Sequence, residues 1–309
     1  MLLRILARIG YIFMSVMILT ACQAQDKLIS KPNPKKIVSS ISVKESLSFD
    51  SIEIEDHLNQ RKMIQLADVG FPEQGDEQEL DQERIIQFAK ELAGEIDTPM
   101  RNPSLSESGD VTEGTNRLIL AEDELVDMML ELSPRTKKLT LPIYETEPTV
   151  TIEELAGIDE YERASFHTYF DGSVDGRVNN IQLSAEAINN YVLGPGDQFS
   201  FNKVVGERTV ERGYEEALEI VNKEFVLGIG GGICQTSSTL FNAIDQAGLE
   251  VIQRYSHSRE VGYVPSGRDA TVSWGGPDFV FKNPFDYPVI LRAEVLDQTM
   301  RVKVFSHHP

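Results

Sequence analysis

Four glycines in five residues (Gly228, Gly230, Gly231, Gly232) stand between a strand-like run, Ile220 to Leu227, and a helix-like one that opens at Cys234. Without Cβ atoms such a loop takes left-handed conformations and lies close to another chain or to a ligand. Leu240, Phe241, Ile244 and Ala247 follow at helical spacing, and Gly248 is a suitable C-terminal stop. Cys234 is therefore expected at a helix N-terminus, where unpaired N–H groups and the helix dipole favour a thiolate. Gly230, Gly231, Gly232 and Gln235 are expected to approach a ligand there.

The rest of the chain limits what this loop belongs to. With 309 residues, 41% of them hydrophobic, there is material for two modest cores plus extensions. The net charge of −20 excludes the basic patch of a nucleic-acid binder. At the N-terminus, Arg4 and Arg8 precede a short apolar run, Ile9 to Leu19, that ends in Leu19-Thr20-Ala21-Cys22. The run is shorter than the ~20 residues a membrane-spanning helix needs, and the whole resembles a bacterial lipoprotein signal. That resemblance implies removal of residues 1–21, acylation of Cys22 with palmitate-like chains, and anchoring on the extracytoplasmic face of the cell membrane. Residues 22–40 are polar, basic and proline-bearing, and read as a tether.

Residues 41–150 carry short alternating segments (Ile41 to Ile54) and a helical pattern from Glu79 to Ala93. A second helix is expected over Ala121 to Leu132, with a strand around Leu139, Leu141 and Ile143. The order around Pro103-Ser104-Leu105, Val111 to Gly114 and Leu141-Pro142-Ile143 resembles the peptidoglycan-binding domain found beside L,D-transpeptidases. From 151 to 309 glycines, prolines and aromatics become denser. A helix is expected over Ser184 to Tyr191, and strands over Phe199 to Phe201, Val251-Ile252, Phe279 to Phe281, Val289 to Val295 and Met300 to Phe305. The fold class is thus α+β, as two small domains behind a signal and a tether. Trp274 sits in a turn and is expected to be core rather than a sugar-stacking surface.

If Cys22 is lipidated, Cys234 is the lone remaining thiol, so it is either an inert core residue, part of a binding loop, or chemically used. Nucleophilic use needs a base and a group to orient it. His257, on or just after a strand, and Asp269, at the start of another, follow in a suitable order. The glycine cluster is not a dinucleotide fingerprint, because Ile233 takes the place of its last glycine, and no Lys-Ser or Lys-Thr follows as in a P-loop. Ser237 and Ser238 lack a nucleophile elbow and are expected to cap the helix or face solvent. Cys234, His257 and His167 have no short metal-ligand spacing, so neither a metal nor a cofactor is expected.

Taken together, Gly194 to Asn202, Gly213-Tyr214, Gly230 to Gln235, Thr239 to Ala243, Ala247 to Glu250, His257-Ser258, Tyr263-Val264-Pro265, Gly267, Asp269 to Val272 and Asn283-Pro284 resemble the VanW family, over about residues 155–293. The resemblance implies an exported or surface-attached protein, of the Gram-positive type, related to an accessory factor of glycopeptide-resistance clusters. The expected partners are peptidoglycan or a precursor, and the membrane through Cys22. Two functions follow: cysteine-dependent amide cleavage or transfer, or a non-catalytic wall-binding or envelope-assembly module.

Overall fold

The computed structural model describes residues 50–72, 79–133, 135–221 and 223–307. Cys22, the signal and the tether lie outside the described residues. Among those described, no helix is long and apolar enough to cross a membrane.

The N-terminal half contains β1 (Ser51–Glu55), β2 (Arg61–Gln65), α1 (Gln82–Ile96), β3 (Ser104–Leu105), β4 (Val111–Thr112), β5 (Arg117–Leu120), α2 (Glu122–Leu130), β6 (Lys138–Thr140) and β7 (Ile143–Thr146). Alternation sets β1: Ile52 and Ile54 point into the core, and β1 pairs antiparallel with β2 and parallel with β6. Asp81 accepts the Arg84 N–H at 3.1 Å and caps α1, so the helix begins and ends three residues later than its apolar pattern suggests. Its stripe of Ile85, Ala89, Leu92 and Ala93 packs with Leu125 and Met129 of α2 over the sheet. β3 with β4, and β5 with β7, form two short antiparallel ribbons.

The C-terminal half adds β8 (Tyr161–Tyr169), α3 (Asp175–Ile188), β9 (Val192–Leu193), β10 (Gln198–Ser200), α4 (Phe201–Val205), β11 (Glu216–Val221), β12 (Glu224–Ile229), α5 (Ile233–Ala247), β13 (Glu250–Gln253), β14 (Val280–Lys282), β15 (Val289–Leu296) and β16 (Thr299–Ser306). A four-stranded antiparallel sheet, β8-β16-β15-β9, is covered by α3 and α5. β16 alternates cleanly, with Met300, Val302 and Val304 fully buried beneath α5. A second sheet, β10-β14-β13, brings Phe199, Phe279 and Phe281 into the same core.

The run Ile220 to Leu227 is not one strand. It turns at Lys223, whose φ of 70° is left-handed, and forms the β11–β12 hairpin. Leu218, Phe225 and Leu227 are exposed on this ribbon, so its hydrophobicity does not mark a buried strand. Trp274 is also a correction: it is 50% exposed in a turn, not core.

The halves have separate cores joined by a small third cluster of Val150, Leu155, Ile158, Val192 and Ile290, with Leu105 and Phe305 against it. Asn102 donates to Asp197 at 2.7 Å, and buried Arg292 reaches Asp159, Asn190 and the Leu105 carbonyl. The described residues form one compact unit.

Candidate functional site

β12 delivers the chain to Gly230, and the three-glycine turn reverses it into α5. A Cβ on Gly231 would stand 2.3 Å from the Ala217 carbonyl oxygen, so only glycine lets this turn lie on β11. Gly232 has φ 107° and precedes α5 without any side-chain cap. The turn is pinned by Asn180 of α3, wholly buried, whose amide donates to the Glu215 and Gly231 carbonyls and accepts the Glu215 N–H. The glycines are thus used in packing: Gly230 and Gly231 are buried, Gly230 lies under the stem of Arg208, and Gly232 lies under that of Arg177. They open the turn to two arginines.

Cys234 occupies the first turn of α5, half-buried. Its sulfur lies 3.5 Å from the Val272 carbonyl and within hydrogen-bonding reach of the His257 ring. His257, just beyond β13, presents Nδ1 to Asp269 Oδ2 at 2.5 Å, and its backbone N–H donates to the same oxygen at 2.6 Å. Cys234, His257 and Asp269 thus form one chain of contacts. Burial, the largest influence on His257, works to lower its pKa. The hydrogen bonds and negative charge of Cys234 and Asp269 outweigh it, and the net shift is upward. For Asp269, burial works upward but the His257 N–H donors and charge prevail, and its pKa is lowered.

Asp269 does not begin a strand. Residues 269–273 run as an irregular segment along α5. Ser237 and Ser238 hold it there: Ser237 donates to the Ala270 carbonyl at 2.6 Å, and Ser238 accepts the Ala270 N–H at 2.9 Å. Both serines are fully buried, so they neither cap the helix nor face solvent. Asn242 extends the clamp by donating to the Arg268 carbonyl.

Gln235 is 1% exposed, and its amide is taken up internally. Nε2 donates to Thr168 Oγ1 and the Tyr169 carbonyl, both at 2.9 Å, and Oε1 accepts from Arg177 at 2.7 Å. Its place is behind the site, steering Arg177. His167 pairs with Tyr169 on the surface and takes no part.

Three neighbours of Cys234 carry no signal in composition or spacing. Arg177, near the start of α3, and Arg208, after α4, both sense the charge on Cys234, and burial lowers the pKa of each. Tyr263 hydrogen-bonds with Ser238, and its pKa is pushed well up, by burial first and then by negative charge on Cys234. A cavity of about 350 Å³ lies apart from this chemistry, between Glu107, Asp159, Arg292, Glu294, Lys303 and Phe305. Its Arg292 is already paired with Asp159.

Residues 176–305 match the family model described as VanW like protein. The chain is 42% identical over 229 residues to YoaR, an uncharacterized protein of Bacillus subtilis (strain 168), covering 74% of this chain and 76% of that protein. It is 29% identical over 137 residues to the vancomycin B-type resistance protein VanW of Enterococcus faecalis (strain ATCC 700802 / V583), covering 43% of this chain and half of that one. No solved structure matches the chain. The matched segment contains Cys234, His257, Asp269 and both arginines, and the chain belongs to the VanW family.

Proposed function

We propose that this is a cell-envelope protein that cleaves or transfers an amide of peptidoglycan or a peptidoglycan precursor through Cys234. The observation that carries the reading is the contact chain from Cys234 to His257 to Asp269 at the start of a helix. The vancomycin-resistance name of one relative supports a cell-wall role.

In this reading His257 takes the Cys234 proton, and sulfur attacks the carbonyl carbon of the amide. The N–H groups of Ile233 and Gln235 are already donated to the Gly230 and Gly232 carbonyls, so the Cys234 N–H, in the first turn of α5, is the donor assigned to the oxygen on which charge develops. When the C–N bond breaks, His257 returns the proton to the leaving amine, and a thioester remains on Cys234. Water or an acceptor amine then takes the acyl group and restores the thiol. Asp269 holds the ring and stabilises its charged form.

Iodoacetamide tests the reading directly. At pH 7 the native protein is expected to be alkylated at Cys234 at least about ten times faster than the unfolded chain, and to lose its action on purified cell-wall fragments. A thiol that labels no faster than the unfolded chain, or labelled protein that still acts, would make Cys234 a packing residue and leave a wall-binding module.

Placement at the membrane rests on Cys22. In fractionated cells the wild-type protein is expected to stay with membranes until detergent is added, whereas the Cys22→Ser protein stays in the membrane only as uncleaved precursor or appears in the soluble fraction. Equal, fully processed membrane retention of both would remove the lipid anchor.

A further inference from the structure

Buried side-chain nitrogen and oxygen atoms without hydrogen-bond partners are rare in folded proteins, and each calls for an explanation. Among the described residues they are Asn202 Oδ1, Thr271 Oγ1 and both terminal nitrogens of Arg208. All lie on segments that frame the thiol. Thr271 precedes Val272, whose carbonyl meets Cys234, and Asn202 donates to the Ser273 and Pro277 carbonyls of the same stretch. Arg208 packs over Gly230 and senses the charge on Cys234.

A buried guanidinium without an acceptor is costly, and Arg208 finds none nearby. The carboxylate it senses, Asp278, is already engaged by the Ser200 hydroxyl and by the N–H groups of Asn202 and Phe279. Neither Arg208 nor Arg177 is in an ion pair among the described residues. Arg208 and Arg177 therefore face the glycine turn without a direct carboxylate partner.

We propose that Arg208, assisted by Arg177, is a carboxylate-recognition site beside Cys234, so that the substrate is an acyl compound bearing a free carboxylate close to the bond attacked. The guanidinium of Arg208 offers the parallel N–H pair that a carboxylate accepts in bidentate fashion. Both nitrogens are buried, so a carboxylate reaches them only where neighbouring side chains give way. Arg177, held by Gln235, adds charge from the other side of the glycine turn. The proposal rests on the reading of Cys234 as an accessible nucleophile and specifies what that nucleophile meets.

Two small alkylating agents separate the claims. Both form the S–C bond with loss of iodide, but iodoacetate carries a carboxylate and iodoacetamide does not. The rate ratio of iodoacetate to iodoacetamide is expected to be about tenfold higher for Cys234 than for free cysteine, the size of one charge-assisted hydrogen bond. Millimolar propionate, and not propionamide, is expected to slow both reagents. Arg208→Gln is expected to return the ratio to that of free cysteine, and Arg208→Lys to keep part of it. A wild-type ratio equal to free cysteine, without propionate protection, overturns the carboxylate site and leaves the nucleophile standing. An Arg208→Gln protein that slows both reagents equally at an unchanged ratio makes Arg208 a counter-ion of sulfur and also overturns the site. No reaction with either reagent removes the nucleophile and the site together.

Discussion

Replacing His257 with alanine is expected to slow Cys234-dependent acyl transfer by about a hundredfold to ten-thousandfold, the usual contribution of a positioned acid–base group. The variant should lose its action on wall fragments and its fast alkylation together, because one ring serves both as proton acceptor and as partner of the charged sulfur. Stability carries a second, independent signature. The folded pKa of His257 is raised, so the stabilisation it provides is complete below the unfolded value near 6.5 and disappears as pH rises through the folded value. Asp269 has a lowered pKa, so its contribution is present above about 3.9 and is lost as pH falls through its folded value. The gap in urea stability between wild type and His257→Ala is therefore expected to be wider at pH 5.5 than at pH 9. A gap that does not change with pH would mean that the ring is held by packing and not by the charges of its neighbours.

The second large effect is structural. Gly231→Ala would set a methyl carbon 2.3 Å from the Ala217 carbonyl oxygen and 2.5 Å from its carbon, both backbone atoms of β11. Neither can retreat without disturbing the β11–β12 pairing or the bonds that Asn180 makes to Glu215 and Gly231. A loss of about 2 to 3 kcal/mol is expected, at the upper end of overpacking costs, with the Tm falling by about 4 to 12 °C. Gly262→Ala is the control, since nothing stands within 4 Å of the added atom, and it is expected to stay within about 0.5 kcal/mol of wild type. Equal melting of the two variants would show that the turn is slack.

Much of this was legible from periodicity. β16 declares itself by burying alternate residues, and α1 and α2 by an apolar stripe up to their caps, whereas α5 is buried almost all round and β15 on both faces, and these two show as the helical spacing of Leu240, Phe241, Ile244 and Ala247 and as an apolar run. β8 was missed because Tyr161 to Tyr169 mixes charged, small and aromatic residues, and only Thr168 of its nine residues is buried. The first half of α3 was missed for the same reason: Arg177, Asn179 and Asn180 are polar, yet two of the three are at least half-covered, serving the site and the glycine turn. Phe225 and Leu227 misled in the other direction, as apolar residues on an exposed hairpin. At the site, Cys234, His257 and Asp269 could be singled out by residue type, and the structure brings them into contact. Gln235 was not, because a buried amide and a ligand-binding amide look the same until its partners are known. The arginines were invisible because charge in a sequence reads as surface, and only packing against glycine brings these two inside.

Asp269 lies on a segment outside every sheet, and its hold comes from the helix that bears the thiol, through Ser237, Ser238 and Asn242. The same carboxylate oxygen then takes both the main-chain and the ring N–H of His257. All three groups are consequently tied, directly or through one another, to one rod, α5, and the segment bearing Asp269 is tied also to Arg254 and Tyr255 just beyond β13. The exposed residues after His257, Ser258 to Glu260, are not fastened to that rod by these bonds. The bonds that align the centre thus do not run through Ser258 to Glu260, which are bonded instead to Lys223 and Ser266.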